Sequence, residues 1–315
     1  MPRTVAVTGA TGFVGGHLVR ELAEAGWKVR ALTRRPIAEP QTYPEDVTWV
    51  RGNLENEPAL QELLTDVDAV VHCAASIKAL DAEGFHKANA EGTERVARIA
   101  AAMPAPPTFL YMSSVAARHP DISDYAASKR AGETALAKLS DRLTWWALRP
   151  GAVYGPGDKE TLTMFRMAAA RVAALPGGGE GHVSLIHVSD LVAAVAALLD
   201  SPVESGAVFE VDDGQEGGYT LRALYETLGE HMDRRALYLP VPRPVLTAVA
   251  YCNATVAKLT RKPAMLAPGK IREIYHADWA TDSRPIRQAT PWRPKIGARE
   301  GLKATLSWYK SQGLL

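Results

Sequence analysis

The stretch VAVTGATGFVGGHLVRELAEAG, at residues 5–26, constrains the fold of this chain more than any other. A β-branched run leads directly into Gly9, Gly12 and Gly15, and apolar residues at helical spacing follow. In a dinucleotide site the first glycine permits a tight turn, the second lets the backbone approach a pyrophosphate, and the third lets helix and strand pack closely. The helix N-terminus adds free N–H groups for the phosphates. A purely structural turn is the alternative, and the strand–turn–helix context favours a dinucleotide site.

Further short apolar runs continue this pattern along the chain. They are KVRALT (28–33), VTWVRG (47–52), AVVHCAA (69–75), TFLYMSS (108–114), LTWWALRP (143–150) and VFEVDD (208–213). Helical patterns near 58–65 and 89–103 separate them, and most runs show little polar alternation, as in strands buried on both faces. The sequence therefore predicts an α/β fold with a doubly wound parallel sheet, the Rossmann type.

The sequence changes character after about residue 155, where prolines and glycines become frequent. We expect a dinucleotide-binding domain over 1–155, with a returning segment near 183–213. Residues 156–315 are expected to form most of a smaller, mainly helical substrate lobe.

Composition excludes several classes of protein. Thirty-six basic against 35 acidic residues leave a net charge of +1, which gives no basis for a nucleic-acid surface. Two cysteines exclude a disulfide framework, and the eight histidines form no ligand cluster, so no metal is expected. No secretory signal is evident, and the longest apolar run, residues 191–199, is too short to span a bilayer. We therefore predict a cytoplasmic protein.

The end of the second predicted strand bears on the choice of cofactor. NAD sites usually place an acid there, to bind a ribose hydroxyl. This chain has Thr33 at that point, followed by Arg34 and Arg35. Guanidinium groups attract a 2′-phosphate and can bind it with two hydrogen bonds. The sequence thus favours NADP(H) over NAD, with Arg34 the stronger candidate.

A tyrosine and a lysine four residues apart, Tyr125 and Lys129, share one face of a predicted helix. An ammonium group beside a phenol is expected to lower the pKa of the phenol, which can then exchange a proton with a substrate oxygen. Ser113 and Ser114 lie where the fifth strand ends, at the edge where such sheets bind ligands. A serine hydroxyl there can hold the same oxygen.

Taken together, these motifs resemble those of the extended short-chain dehydrogenase/reductase superfamily, the NAD-dependent epimerase/dehydratase family. The resemblance covers most of the chain, and VRALTRRP looks most like the dihydroflavonol reductase and 3β-hydroxysteroid dehydrogenase branch. It is carried by TGATGFVG (8–15), VVHCAA (70–75), NAEGT (89–93), YMSS (111–114), YAASK (125–129), LRPGAVYGPGD (148–158) and HVSDLVAA (187–194).

The resemblance implies roles for individual residues. Ser114, Tyr125 and Lys129 would form the catalytic set, and Asn89 would hold the active-site helix and a water. Asn53 replaces the usual Asp, and its amide is expected to accept a hydrogen bond from adenine. The implied cofactor contacts are Gly9, Thr11, Gly12, Phe13, Val14, Gly15, Arg34, Arg35, Asn53, Leu54, Ala74, Ala75, Ser76, Lys129, Pro150 and Val153.

The activity implied is NADP(H)-dependent reduction of a ketone or aldehyde, or oxidation of the alcohol, on a bulky apolar small molecule. Tyr125 would act as general acid/base. Two alternatives stay open: a sugar-nucleotide epimerase that retains NAD, and a non-catalytic NADP-binding redox sensor. The resemblance also suggests a homodimer through helices holding 89–103 and 125–140.

An apolar stretch at 242–266 carries few charges until Lys258, Arg261 and Lys262. A packed helix or a lid over the substrate pocket is favoured here, and contact with a membrane surface is the minor alternative. Further along the chain, we expect His276, Asp278 and Trp279 to be packing residues rather than catalysts.

Overall fold

The fold is described from a computed structural model, over residues 3–37, 42–264 and 266–315. Its strands are β1 (Thr4–Thr8), β2 (Lys28–Thr33), β3 (Val47–Arg51), β4 (Ala69–His72), β5 (Thr108–Met112), β6 (Trp145–Pro150), β7 (Ala152–Tyr154), β8 (Val172–Pro176), β9 (His182–Val183), β10 (Leu185–His187), β11 (Ala207–Val211), β12 (Tyr219–Thr220), β13 (Leu237–Val241) and β14 (Asp278–Trp279). Its α-helices are α1 (Phe13–Glu24), α2 (Glu57–Leu64), α3 (Ala82–His86), α4 (Gly92–Ala101), α5 (Asp124–Ala137), α6 (Leu162–Ala169), α7 (Val188–Leu199), α8 (Leu221–Met232), α9 (Arg243–Thr260), α10 (Pro268–Ile274), α11 (Arg284–Ala289) and α12 (Ala298–Ser311).

Seven parallel strands form the main sheet, in the spatial order β3–β2–β1–β4–β5–β6–β11. The chain builds outward from β1 to β3 and then crosses back to place β4 on the other side of β1. Adjacent connections diverge at this point, so a crevice opens at the carboxyl ends of β1 and β4. The predicted doubly wound fold is confirmed, and the crevice falls where the glycine turn follows β1.

Apolar side chains cover both faces of the sheet, because each strand projects alternate residues to opposite sides. In β1, Val5 and Val7 pack in the cluster that includes Leu18 of α1 and Val195 of α7. Ala6 lies in the opposite cluster, with Leu60 of α2. All of these side chains are buried, and full burial of a Val or Leu stabilises the fold by about 1.5–3 kcal/mol.

A third cluster forms the core of the C-terminal lobe, where Phe165 of α6, Leu228 of α8 and Leu302 of α12 meet. The chain also returns to the sheet, since β11 pairs with β6, and Ile286 and Trp292 pack in the first cluster. On the basis of these clusters, we propose that the two lobes divide near residue 155 and that the segment at 183–213 returns to the dinucleotide-binding domain. The contribution of Ile286 and Trp292 to the sheet core was not predicted.

Candidate active site

The glycine turn has the local geometry of a phosphate-binding loop. Gly9 has φ +70°, and a Cβ there would lie 2.6 Å from the Ala74 backbone nitrogen. A Cβ on Gly15 would lie 2.1 Å from the Gly9 carbonyl oxygen, so only glycine permits this close packing. No side chain caps the N-terminus of α1. Its first N–H groups are therefore available to an anionic ligand.

A crevice of about 640 Å³ opens beside this turn, and the glycine turn and the uncapped helix N-terminus suit the pyrophosphate of a nicotinamide dinucleotide. The predicted cofactor residues that line it are Gly9, Thr11, Gly12, Arg34, Asn53, Leu54, Ala74, Ala75 and Ser76. Those that do not line it are Phe13, Val14, Gly15, Arg35, Lys129, Pro150 and Val153. Val14 and Val153 instead pack against the sheet core.

Basic side chains at the crevice differ in what they already bind. Lys87 pairs with Glu55 at 2.8 Å, and Arg95 donates from Nη1 to the Leu54 carbonyl at 2.9 Å. Arg34 has neither a hydrogen bond nor an ion pair among the described residues. Sequence reasoning missed Lys87, Glu55 and Arg95, which come from segments after β3 and β4 and belong to no local motif.

Asn53 behaves differently from the expectation. Its Oδ1 accepts hydrogen bonds from the backbone N–H groups of Glu55 (2.8 Å) and Asn56 (3.1 Å). Both lone pairs of the amide oxygen are therefore engaged within the turn. The amide can offer a ligand its Nδ2 hydrogens, and the contact of Asn53 with adenine stays a prediction.

Tyr125 and Ser114 lie together in a second cavity, of about 490 Å³. Tyr125 stands in the first turn of α5, where the Ser123 side chain accepts from the Ala126 N–H and fixes the start of the helix. Both side chains line this cavity, so the Ser114 hydroxyl and the Tyr125 phenol face the same space. Ser113 instead points into the core and donates to Glu133 at 2.5 Å. The structure thus places Ser114, rather than Ser113, beside the phenol.

The predicted effect of Lys129 on Tyr125 is not what the structure shows. Burial raises the pKa of Tyr125 to about 12, and the nearby Ser114 hydroxyl opposes the shift. The Lys129 ammonium donates to the Met112 carbonyl at 2.7 Å and lies 4.2 Å from the centre of the Tyr111 ring. Burial lowers the pKa of Lys129 to about 7. Desolvation therefore sets the direction of both pKa shifts, and the expected lowering of the Tyr125 pKa by the Lys129 charge is absent.

Asn89 connects the segments around the site. It lies in a π-helical turn (Lys87–Glu91) just before α4 and is fully buried. Its amide accepts from the Ser76 N–H at 2.6 Å and donates to the Ser76 carbonyl and to Ser128 Oγ, each at 2.9 Å. Asn89 therefore ties the loop after β4 to the helix that carries Tyr125.

The walls of the second cavity come from both lobes and are mainly apolar. The apolar residues with large side chains are Ile77, Phe85, Val115, Val183, Leu221, Ile274 and Trp279. His276 lies 4.4 Å from Trp279, ring centre to ring centre, and both line the cavity. The charged lining residues are Asp124, Glu160, Glu273 and Lys270. Lys270 already pairs with Glu273 at 2.8 Å, so the cavity offers little to a polyanionic substrate.

Sequence reasoning did not find Glu273, although it is among the few buried carboxylates of the described residues. It accepts a hydrogen bond from Ser123, the residue that caps α5. The two positions are 150 residues apart, and no local pattern connects them.

A dinucleotide crevice that adjoins a cavity containing a Tyr–Ser pair, above a buried lysine, defines an NAD(P)-dependent oxidoreductase of the extended short-chain dehydrogenase/reductase type. The chain belongs to the NAD dependent epimerase/dehydratase family, whose profile matches residues 5–211. The resemblance seen in the sequence is thereby confirmed.

Known proteins similar to this chain include reductases, dehydrogenases and epimerases. A ceramide reductase of Caulobacter vibrioides is 39% identical over 99% of this chain and 96% of its own length. A decarboxylating sterol-4-alpha-carboxylate 3-dehydrogenase of Candida albicans is 23% identical over 97% of both chains. The structure of a UDP-glucose 4-epimerase of Thermus thermophilus in complex with NAD superposes with a TM-score of 0.75, at 22% identity, over 98% of this chain and 99% of that one. This last likeness shows the fold alone.

Proposed function

We propose that the protein is an NADPH-dependent reductase of a ketone carried by a ceramide-like lipid. The observation that carries the proposal is the mainly apolar cavity that Tyr125 and Ser114 line together. The similarity to a ceramide reductase over nearly the whole chain supports the substrate class.

Bound in the crevice, the nicotinamide cofactor would supply a hydride to the carbonyl carbon. The Ser114 hydroxyl would donate a hydrogen bond to the carbonyl oxygen and orient it. Tyr125 Oη would then give its proton to that oxygen as the alcohol forms. With a pKa near 12, Tyr125 is protonated at neutral pH, the form that reduction requires. Lys129, which is buried and donates to the Met112 carbonyl, would hold the cofactor ribose.

Preference for NADPH rests on Arg34. This side chain lines the crevice just after β2, and residues 33–35 include no Asp or Glu. A guanidinium there would bind the 2′-phosphate through charge-assisted hydrogen bonds. Arg35 does not line the crevice and would contribute less.

The lining of the cavity also separates the proposed lipid from a nucleotide sugar. A diphosphate would meet three carboxylates and one lysine that is already paired. Burying such a ligand without basic partners is costly. An apolar chain, by contrast, would gain about 25 cal/mol for each Å² of surface removed from water.

The test is an assay of the purified protein with NADPH or NADH against a keto-ceramide, a steroidal ketone and a UDP-sugar. We expect NADPH to be oxidised in equal amount to the alcohol formed from the keto-ceramide, and the Tyr125→Phe variant to be inactive in the same assay. Epimerised UDP-sugar without net cofactor consumption would establish the epimerase alternative. NADPH binding without turnover of any carbonyl would establish the redox sensor.

We retain as proposals a homodimer through α4 and α5 and a cytoplasmic location. Light scattering tests the first, with a monomeric mass as the contrary result. Fractionation of cells tests the second.

A further inference from the structure

Helix α9 is the least buried long helix of the C-terminal lobe. Of its 18 residues only Ala250 and Ala257 are buried. The opposite side carries a row of exposed apolar side chains spaced alternately four and three residues apart: Val245, Val249, Cys252, Val256 and Leu259. This spacing aligns them along a single face of the helix. We call this row the α9 stripe.

Exposed apolar side chains are also concentrated in the sequence on either side of the stripe. Twelve large apolar side chains are exposed among the described residues, and eight of these lie between positions 237 and 274. Besides four members of the stripe, they include Leu237 and Leu239 of β13, Tyr251, and Ile274 of α10. Isolated exposed apolar residues are ordinary, whereas a concentration of this kind marks an interaction surface.

Charge is distributed just as unevenly. Residues 234–272 contain eight Lys and Arg and no Asp or Glu, whereas the rest of the chain has 28 basic and 35 acidic residues. Lys258, Arg261 and Lys262 are exposed at the C-terminal end of α9, and none forms an ion pair within the described ranges. The segment that contains the stripe is therefore cationic, in a chain that is otherwise slightly acidic.

We propose that the α9 stripe docks the protein on an anionic lipid bilayer, with the helix lying in the plane of the surface. An amphipathic helix of 18 residues, about 27 Å long, with an apolar face and flanking basic residues suits this arrangement. Anionic headgroups attract Lys and Arg near the surface. A second copy of this chain is a poorer occupant, because two such cationic surfaces would repel each other. No described helix is long and apolar enough to cross a membrane.

The position of the stripe links docking to the cavity that holds Tyr125. The segment that follows α9 supplies Ala264 and Ala267 to the cavity wall, and α10 supplies Lys270 and Ile274. Docking would thus bring the cavity wall next to the bilayer, where an apolar substrate resides. This consequence rests on the proposed function, whereas the docking itself does not.

Co-sedimentation with phosphatidylcholine vesicles, with and without anionic phosphatidylglycerol, tests the proposal in the absence of cofactor and substrate. Wild-type protein is expected to sediment with the anionic vesicles. Val249→Asp/Val256→Asp should lower the partition coefficient roughly 100-fold, because it removes apolar contact and adds negative charge. Lys258→Gln/Lys262→Gln should lower it roughly 30-fold, and this change at exposed lysines leaves the core untouched.

Matched controls lie on α12, on exposed positions away from the stripe. Ala304→Asp and Lys303→Gln/Lys310→Gln are expected to bind vesicles like the wild type. The proposal is overturned if wild-type protein stays in the supernatant with anionic vesicles. It is also overturned if neither the double valine variant nor the double lysine variant weakens binding. It is equally overturned if light scattering shows a wild-type dimer that Val249→Asp/Val256→Asp converts to a monomer, since a second copy would then cover the stripe. Because no substrate is present, these results are independent of whether a keto-ceramide is reduced.

Discussion

The Ser123 hydroxyl donates to Glu273 Oε1 across 2.5 Å and so joins α10 of the C-terminal lobe to the first turn of the helix that carries Tyr125. The same hydroxyl oxygen accepts from the Ala126 N–H, at 3.0 Å. The position of the phenol therefore depends on a carboxylate that lies 150 residues further along the chain.

Replacement of that carboxylate should impair turnover. We expect Glu273→Ala to lower kcat for ketone reduction about 10- to 100-fold, because a small displacement of a catalytic group is costly, while cofactor affinity is unchanged. Glu273→Gln keeps an oxygen that can accept from Ser123 and should restore most of the rate. Steady-state kinetics of both variants test this, with the exposed Glu300→Ala as control. Wild-type kcat in Glu273→Ala would contradict the role.

Removal of the phenolic hydroxyl should abolish proton transfer without loss of the fold. Tyr125→Phe is expected to reduce kcat/KM about 10²- to 10⁴-fold, the usual contribution of a general acid, and to leave NADPH affinity unchanged. Tyr225→Phe is the matched control, since that hydroxyl contacts Met167 in the core of the C-terminal lobe. Equal losses in the two variants would point to a structural effect.

Burial of Lys129 should give a pH-dependent difference in stability. Its pKa is about 7 in the folded protein and 10.5 in the reference state, so between these values the unfolded chain binds a proton that the folded chain has lost. The free energy of unfolding of the wild type should therefore rise with pH across this range, relative to Lys129→Met. The difference should amount to several kcal/mol, at about 1.4 kcal/mol for each pKa unit.

Urea unfolding of the two proteins at several pH values within that range measures this difference. Lys138→Met, at an exposed position at the end of α5, should show no such trend. A constant difference between wild type and Lys129→Met would mean that burial does not depress the pKa of this lysine.

Substitution of Arg34 should change cofactor preference. Loss of a charge-assisted hydrogen bond costs about 1.5–3 kcal/mol, so Arg34→Ala should weaken NADPH binding about 10- to 100-fold and leave NADH binding nearly unchanged. Fluorescence titration with each cofactor measures both affinities. Arg35→Ala, outside the crevice, should have a smaller effect, and tighter binding of NADH than NADPH by the wild type would refute the preference.

Much of the sheet and of the cofactor crevice could be predicted from the sequence, because both depend on short-range features. The glycines of the first turn are required by backbone geometry within a short segment, and apolar runs such as 28–33 and 108–112 are strands because both of their faces are buried. For the same reason, Arg34 could be placed at the crevice from its distance after β2.

Other properties were decided by the tertiary structure alone. The pKa values of Tyr125 and Lys129 depend on burial by residues from several elements. The spacing of neighbouring residues in the sequence does not show how deeply a side chain will be buried. The bond between Ser123 and Glu273 joins segments with no shared periodicity. The pattern of α9 shows that the helix is amphipathic, but only the packed lobe determines that its apolar stripe faces outward. Local sequence thus specified the elements and the cofactor turn, whereas long-range packing set the protonation of the site and the surface left exposed.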